Sequence, residues 1–286
     1  MATELEIKLT LSEPAQRQAL DWLLALPDAK KGARKTLVNR YYDTPNALLN
    51  QAKAALRVRQ AGDRYIQTLK TRGEFVNGAH QRQEWEWDLS GPELDLSLLE
   101  QTPLHNQVDL SDLELAFETN FERQIVMLSE GDNEIEVAVD AGEILSGGRS
   151  MPLHEVEFEL KAGAPECLME QAAALAADVP VFLNLVSKAE QGYYLADIYQ
   201  PDLTAPQNPL SVTEFLHLLS VGWLTGKPVQ LPESVLVNVE ACARQADVMS
   251  LWRQVSGALN NGTSVAKMIE QVPGLGRLQL ALAAQG

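Results

Sequence analysis

Glu4, Glu6 and Lys8 stand on alternate residues near the start of the chain, separated by Leu5 and Ile7. The same spacing returns in Arg57 and Arg59, in Thr68 and Lys70, and in Arg82, Glu84, Glu86 and Asp88. It returns again in Glu134 and Glu136, with Asp140, and in Glu155, Glu157, Glu159 and Lys161, while Arg123 stands on a further extended segment. Alternate residues of a strand point to one face. Each segment therefore has a charged face and an apolar one. Exposed to water, such a face is the ordinary polar side of a half-wet sheet. Enclosed, the opposite charges stabilise one another, and a polyanion with a cation can complete the neutralisation. The mixed signs and the scarcity of neutral fillers favour enclosure for the set, and the pattern by itself permits both.

The elements that must position these charges read as strands before residue 200 and helices after it. Extended segments fall at 3–10, 35–43, 54–60, 64–71, 80–89, 118–128, 134–140, 142–146 and 153–161. Gly62-Asp63 makes the second pair a hairpin. Short hairpin connections suit an antiparallel barrel. Helical stripes at about 12–26, 165–177 and 187–198 are placed to cover the apolar faces, the first starting at Ser12 with Pro14 in its first turn. The expected fold class is α+β: an eight-stranded antiparallel closed β-barrel with covering helices, followed by a small C-terminal helical domain. The three prolines of "YQPDLTAPQNPL" (199–210) mark the linker, which divides the chain into 1–200 and 201–286.

Composition narrows the function. The 286 residues are 45% hydrophobic and 22% charged, enough for a sizeable core. The net charge of −16 argues against a general nucleic-acid or membrane binder. Its distribution is uneven: Lys53, Arg57, Arg59, Arg64, Lys70, Arg72 and Arg82 face only Asp63 and Glu74 in that stretch, a local anion site in an acidic protein. Cys167 and Cys242 offer neither a disulfide framework nor metal spacing, which suits a reducing, cytoplasmic setting. The longest apolar run, Val179 to Val186, contains Pro180 and Asn184 and is too short for a bilayer. His80, His105, His154 and His217 show no metal spacing, and no phosphate loop or nucleophile elbow occurs. Trp85 and Trp87 lie on the apolar parity and read as packing.

The spacing Glu4-Leu5-Glu6-Ile7-Lys8 resembles the signature of the CYTH family, the triphosphate tunnel metalloenzymes. "YYDTPNALL" (41–49), "ALRVR" (55–59), "QTLK" (67–70), "RQEWE" (82–86), "TNFERQ" (119–124), "EVAVDAG" (136–142), "EVEFELK" (155–161) and "SKAEQGYYL" (187–195) resemble its later blocks in order. The resemblance covers about residues 1–200 and is nearest the bacterial inorganic triphosphatase branch. Two positions depart from the family pattern: Phe121 stands where members often carry Lys, and Gln191 where they often carry Arg.

The resemblance implies a tunnel that binds a triphosphate and hydrolyses it with Mg²⁺ or Mn²⁺. On that reading Lys8, Arg57, Arg59, Lys70, Arg82, Arg123 and Lys188 grip phosphate oxygens, Arg through its fork and Lys as a point charge. Glu4, Glu6, Glu155, Glu157 and Glu159 are the expected metal ligands. Glu6, Lys8, Glu157 and Asp140 are the expected catalytic set. Glu84 and Glu86 position bases or ion-pair within the barrel. Arg64 and Arg72 read as solvated surface bases. The expected reaction is conversion of tripolyphosphate to pyrophosphate and orthophosphate. A thiamine- or nucleoside-triphosphatase of the same fold, or a non-catalytic polyphosphate-binding module, is the alternative.

After Gln200, Lys227, Arg244, Arg253, Lys267 and Arg277 nearly balance Asp202, Glu214, Glu233, Glu240, Asp247 and Glu270, so the tail is close to neutral. Helices are expected from Ser211 and at 233–243, 245–259 and 263–271. Leu216, Leu219, Trp223 and Trp252 leave a surplus apolar face, to pack on the barrel or on a second copy as a homodimer.

Overall fold

Alternation of charged and apolar residues builds the first strand, and the same rule closes a ring. A computed structural model describes residues 2–71, 73–76, 79–105, 108–204 and 206–285; Arg72 lies outside them. The strands are β1 (Ala2–Thr10), β2 (Ala29–Asp43), β3 (Ala55–Ala61), β4 (Arg64–Lys70), β5 (Glu74–Val76), β6 (Ala79–Leu89), β7 (Glu114–Glu130), β8 (Asn133–Ser146), β9 (Arg149–Ala162) and β10 (Phe182–Leu183). Around the ring the order is β1-β9-β8-β7-β2-β3-β4-β6, and β6 pairs back onto β1 through Ala2↔Glu84 to Glu6↔His80. This is the expected eight-stranded antiparallel closed barrel. β5 adds to β6 and β10 to β1 as outliers.

The expected break between 134–140 and 142–146 does not exist. β8 runs straight through Gly142, because a Cβ there would overlap the backbone of Asn120 and Phe121 on β7. This glycine permits a close approach and does not mark a turn. Its hairpin partner is reached through Gly147 and Gly148, both with positive φ. β2 begins earlier than the sequence suggests, since 29–31 pair with β7 across a register shift after Lys31.

The helices α1 (Glu13–Ala25), α2 (Leu48–Gln51), α3 (Glu166–Asp178) and α4 (Lys188–Leu195) precede the linker; α5 (Val212–Thr225), α6 (Val237–Gln245), α7 (Met249–Asn260), α8 (Val265–Gln271) and α9 (Leu275–Ala283) follow it. Ser12 caps α1 by accepting from Ala15 N–H. α1 and α3 cover the outer apolar parity of β1, β8 and β9: Ile7, Leu9, Val137, Val156 and Phe158 share one core with Ala19, Leu23, Leu168 and Leu175. The helices after residue 210 extend that same core through Phe215, Leu216, Leu219, Trp252, Leu278 and Leu282, and do not enclose one apart. Trp223 stacks near Phe182 with ring centroids 6.3 Å apart. The apolar residues expected to form a surplus face are thus taken up against the barrel side of the chain. α9 and β10 are additions the sequence pattern did not show. Trp85 and Trp87 pack with Leu49, Leu56, Leu69, Leu99 and Leu104, and Leu94, Leu110 and Leu113 lie against the same cluster. Among the described residues no helix is long and apolar enough to cross a membrane.

Candidate active site

With helices outside, the charged parity of the strands faces inward. A cavity of about 650 Å³ is lined by Glu4, Glu6, Lys8, Arg57, Arg59, Lys70, Arg82, Arg123, Glu157, Glu159 and Lys188. Barrel closure sets their heights. Glu6 sits opposite Glu159 and Lys8 opposite Glu157, Glu4 opposite Arg82, and Arg57 opposite Tyr41 on one side and Thr68 on the other.

Most of the bases are tied to acids. Lys70 Nζ donates to both Glu4 oxygens at 3.1 and 2.9 Å and lies 3.3 Å from Glu84. Arg82 donates to Glu4 at 3.0 Å and to Glu6 at 2.8 Å. Arg123 forks onto Asp140 at 2.7 and 2.6 Å and reaches Glu157 at 2.7 Å. Lys188 meets Glu157 at 2.6 Å, Glu155 at 2.7 Å and Asp140 at 3.0 Å. Arg57 donates to the Tyr41 hydroxyl at 3.3 Å and lies 3.8 Å from Glu84. Lys8 donates to the Val186 carbonyl and lies 3.9 Å from Glu155. Arg59 differs from all of them. Its Nε donates to Asn39 Oδ1 at 2.7 Å, and among the described residues no carboxylate stands within 4 Å of it.

The electrostatics follow this pairing. Burial pushes Glu4 up, but Lys70 and Arg82 outweigh it and hold the carboxyl well below the usual range. Burial likewise opposes Lys188 and Arg123 at Glu157, and the two cations win, again well below the usual range. Glu6 moves the other way. Burial raises it, Glu157 and Glu4 add like-charge repulsion, and Arg82 offsets only part. Burial also raises Glu159, with Glu4 and Glu136 adding to it. Burial beside Arg57 and Arg123 pulls Arg59 down to about 9. A guanidinium keeps its proton in a folded protein, so this marks a cation short of counter-charge. Burial, then Arg82 and Lys8, pull His80 down to about 3, leaving it neutral near pH 7.

Two of the expected site residues lie behind the cavity wall. Asp140 and Glu155 are 0% and 1% exposed and do not line the cavity. They lie behind Arg123 and Lys188, and Gln191 donates to Glu155 at 2.9 Å. Their carboxylates orient those bases in this structure. The two departures from the family pattern meet here. Gln191 holds Glu155, and the Phe121 ring lies 5.7 Å from the Arg123 guanidinium and 5.5 Å from Lys188 Nζ.

Other wall residues carry no charge pattern and were missed. Tyr41 faces Arg57 across the β2–β3 seam, and Asn39, fully buried behind the wall, faces Arg59, so parity extended to uncharged residues finds both. Tyr193 reaches the cavity from α4, where Gly192 lets the helix press on the Phe117 ring. Leu183, Asn184, Leu185 and His217 join the wall from the segment before α4 and from α5; no sequence signal points to them. Arg64 is exposed and pairs with exposed Asp88 at 2.6 Å, as expected of a surface base. If the cavity takes the triphosphate that the sequence resemblance implies, Lys70→Ala should weaken tripolyphosphate binding by about 1.5–3 kcal/mol, and Arg64→Ala should leave it unchanged. Titration calorimetry on both variants decides; equal losses would refute the inward placement of Lys70.

Comparison with known proteins comes to the same region. The sequence model of the CYTH domain matches residues 2–193. An inorganic triphosphatase of Haemophilus influenzae is 34% identical over 205 residues, covering 68% of this chain and 55% of the relative. The chain thus spans little more than half the length of that curated relative. A proposed adenylyl cyclase from Hippeastrum, described as having a dominant triphosphatase activity, shares the fold at a TM-score of 0.50 and 19% identity, covering 69% of this chain and 98% of that one.

Proposed function

Since the chain belongs to the CYTH domain family, we propose that it is a divalent-metal-dependent triphosphatase that cleaves tripolyphosphate to pyrophosphate and orthophosphate. The observation that carries this reading is one cavity holding both an uncompensated guanidinium, Arg59, and a crowd of carboxylates led by Glu6. The first calls for an anion and the second for a cation. Tripolyphosphate with a hard divalent ion supplies both. The name of the Haemophilus relative supports the inorganic substrate.

The donor set fits such an ion. Among the described residues no three carboxylate, imidazole or thiolate groups form a ready cage. Mg²⁺ does not need one, because it is usually held by one or two carboxylates together with substrate phosphates. Glu6 and Glu159, opposite one another on β1 and β9, would hold it, with Glu4 and Glu157 beside them. When bound, the ion neutralises phosphate oxygens and makes the phosphorus more electrophilic. The chain's own part is to bind and orient. Arg57, Arg59 and Lys70 take the phosphate oxygens from β3 and β4, while Lys8 on β1, Arg123 on β7 and Lys188 on α4 supply the other cations of the wall. Two free, buried cysteines suit a cytoplasmic setting.

The test is phosphate release from tripolyphosphate, ATP, thiamine triphosphate and pyrophosphate, each with Mg²⁺, with Mn²⁺ and with excess chelator. Tripolyphosphate should be cleaved fastest and chelator should abolish the reaction. Undiminished release in chelator would overturn the metal requirement, and a preference for ATP or thiamine triphosphate would overturn the inorganic assignment.

A further inference from the structure

The segment joining α3 to α4 is held by buried polar groups of helices that follow the linker. Gln279 on α9 is fully buried, and its Oε1 accepts from the Leu183 N–H at 2.9 Å while its Nε2 donates to the Leu183 carbonyl at 3.0 Å. Gly276, on the same face of α9, sits so close to residue 181 that a Cβ would overlap the Val181 carbonyl. Ser220 on α5, also fully buried, accepts from the Leu185 N–H at 2.9 Å and donates to the Leu216 carbonyl at 2.9 Å. A helix resting on a barrel needs only apolar contact. Buried polar bonds to one short stretch of backbone fix its place as well.

That stretch leads directly to the site. Val186 offers its carbonyl to Lys8 Nζ. Ser187 caps α4 in a reciprocal box with Glu190, and Lys188 is the first residue of that helix. Lys8 Nζ thus takes one of its contacts from this segment, and the Lys188 backbone follows directly from it, with the two side chains only 10% and 9% exposed. We propose that α5 and α9 are positioning elements for Lys8 and Lys188, with Gln279 and Ser220 as positioning residues acting through 183–187. The helical tail is then part of the site's support, not a separable appendage. The consequence for substrate rests on the triphosphatase reading; the placement of the lysines does not.

The test uses the full chain with isotope-labelled lysine side chains observed by NMR, and Gln279→Leu and Ser220→Ala as variants. Leu259→Ala in α7 removes a buried apolar side chain, which makes no hydrogen bond to the 183–187 backbone, and serves as a control for general loss of packing. The Lys8 and Lys188 resonances should move in the first two variants and stay put in the control. Metal-free tripolyphosphate binding should weaken about fivefold in the same two variants, and Ser220→Ala should add less than about twofold on a Lys8→Met background. Unmoved lysine resonances, or equal movement in Leu259→Ala, would overturn the proposal. Moved resonances in a protein that binds no tripolyphosphate would uphold the positioning role and remove the functional reading instead.

Discussion

Glu6→Gln should cut tripolyphosphate turnover at least ~100-fold without loss of thermal stability. The two halves of that result separate chemistry from folding. Glu6 is buried, and it lies near Glu4 and Glu157 with Arg82 as its pairing cation. Arg82 keeps Glu4 when Glu6 is neutralised. Removing the charge therefore relieves repulsion while the shape is kept. A carboxyl raised above its ordinary value destabilises the fold while ionised, and the deficit closes as pH falls and the folded state takes up the proton. Any stability gained by the Gln variant should be largest at neutral pH and shrink as pH drops through the raised value. Melting temperatures from pH 4.5 to 8 with turnover at pH 8 decide the matter. Wild-type turnover in the variant would show that Glu6 holds no metal.

Arg59→Gln should produce the second large effect, a trade of affinity for stability. Arg59 has a neutral amide as partner, while Arg57 and Arg123 repel it. In low-salt buffer without phosphate the Gln variant should melt at or above wild type, since an uncompensated charge is gone. Tripolyphosphate should bind it about 10–100-fold more weakly. Arg82→Gln should do the opposite to stability, because it strands Glu6 and leaves Glu4 to Lys70 alone, at a cost of about 3–5 kcal/mol. Thermal melts with and without tripolyphosphate compare the two. If Arg59→Gln is as destabilised as Arg82→Gln, the uncompensated guanidinium is not what the site offers an anion.

The barrel and its inner wall were legible because a strand's period is two and closure preserves it. Glu4, Glu6, Lys8, Arg57, Arg59 and Lys70 all share the face that parity assigned. Parity names a face but gives no depth. Asp140 and Glu155 lie on the correct face, yet Arg123, the register partner of Asp140 on β7, and Lys188 from α4 cover them, and strand parity says nothing of how far a neighbouring side chain or a helix reaches over a face. Gln16 escaped notice for a related reason. It sits on the buried stripe of α1 and donates to the backbone carbonyls of Asp140 and Glu155 at 2.6 and 3.2 Å, which no helical pattern reveals. β10 is two residues long and exists through its partners, Leu9 and Thr10.

The seam between β1 and β9 sets a time as well as a place. Glu6 and Glu159 are neighbours there although about 150 residues separate them along the chain. Loop closure on that scale makes such a pairing slow to form. At ordinary rates of synthesis, roughly 8–30 s pass between the two strands leaving the ribosome. Through that interval β1 lacks its β9 neighbour, and an unpaired edge invites another chain. The charges along it discourage that pairing. Glu4, Glu6 and Lys8 thus guard a nascent strand well before there is a cavity for them to line.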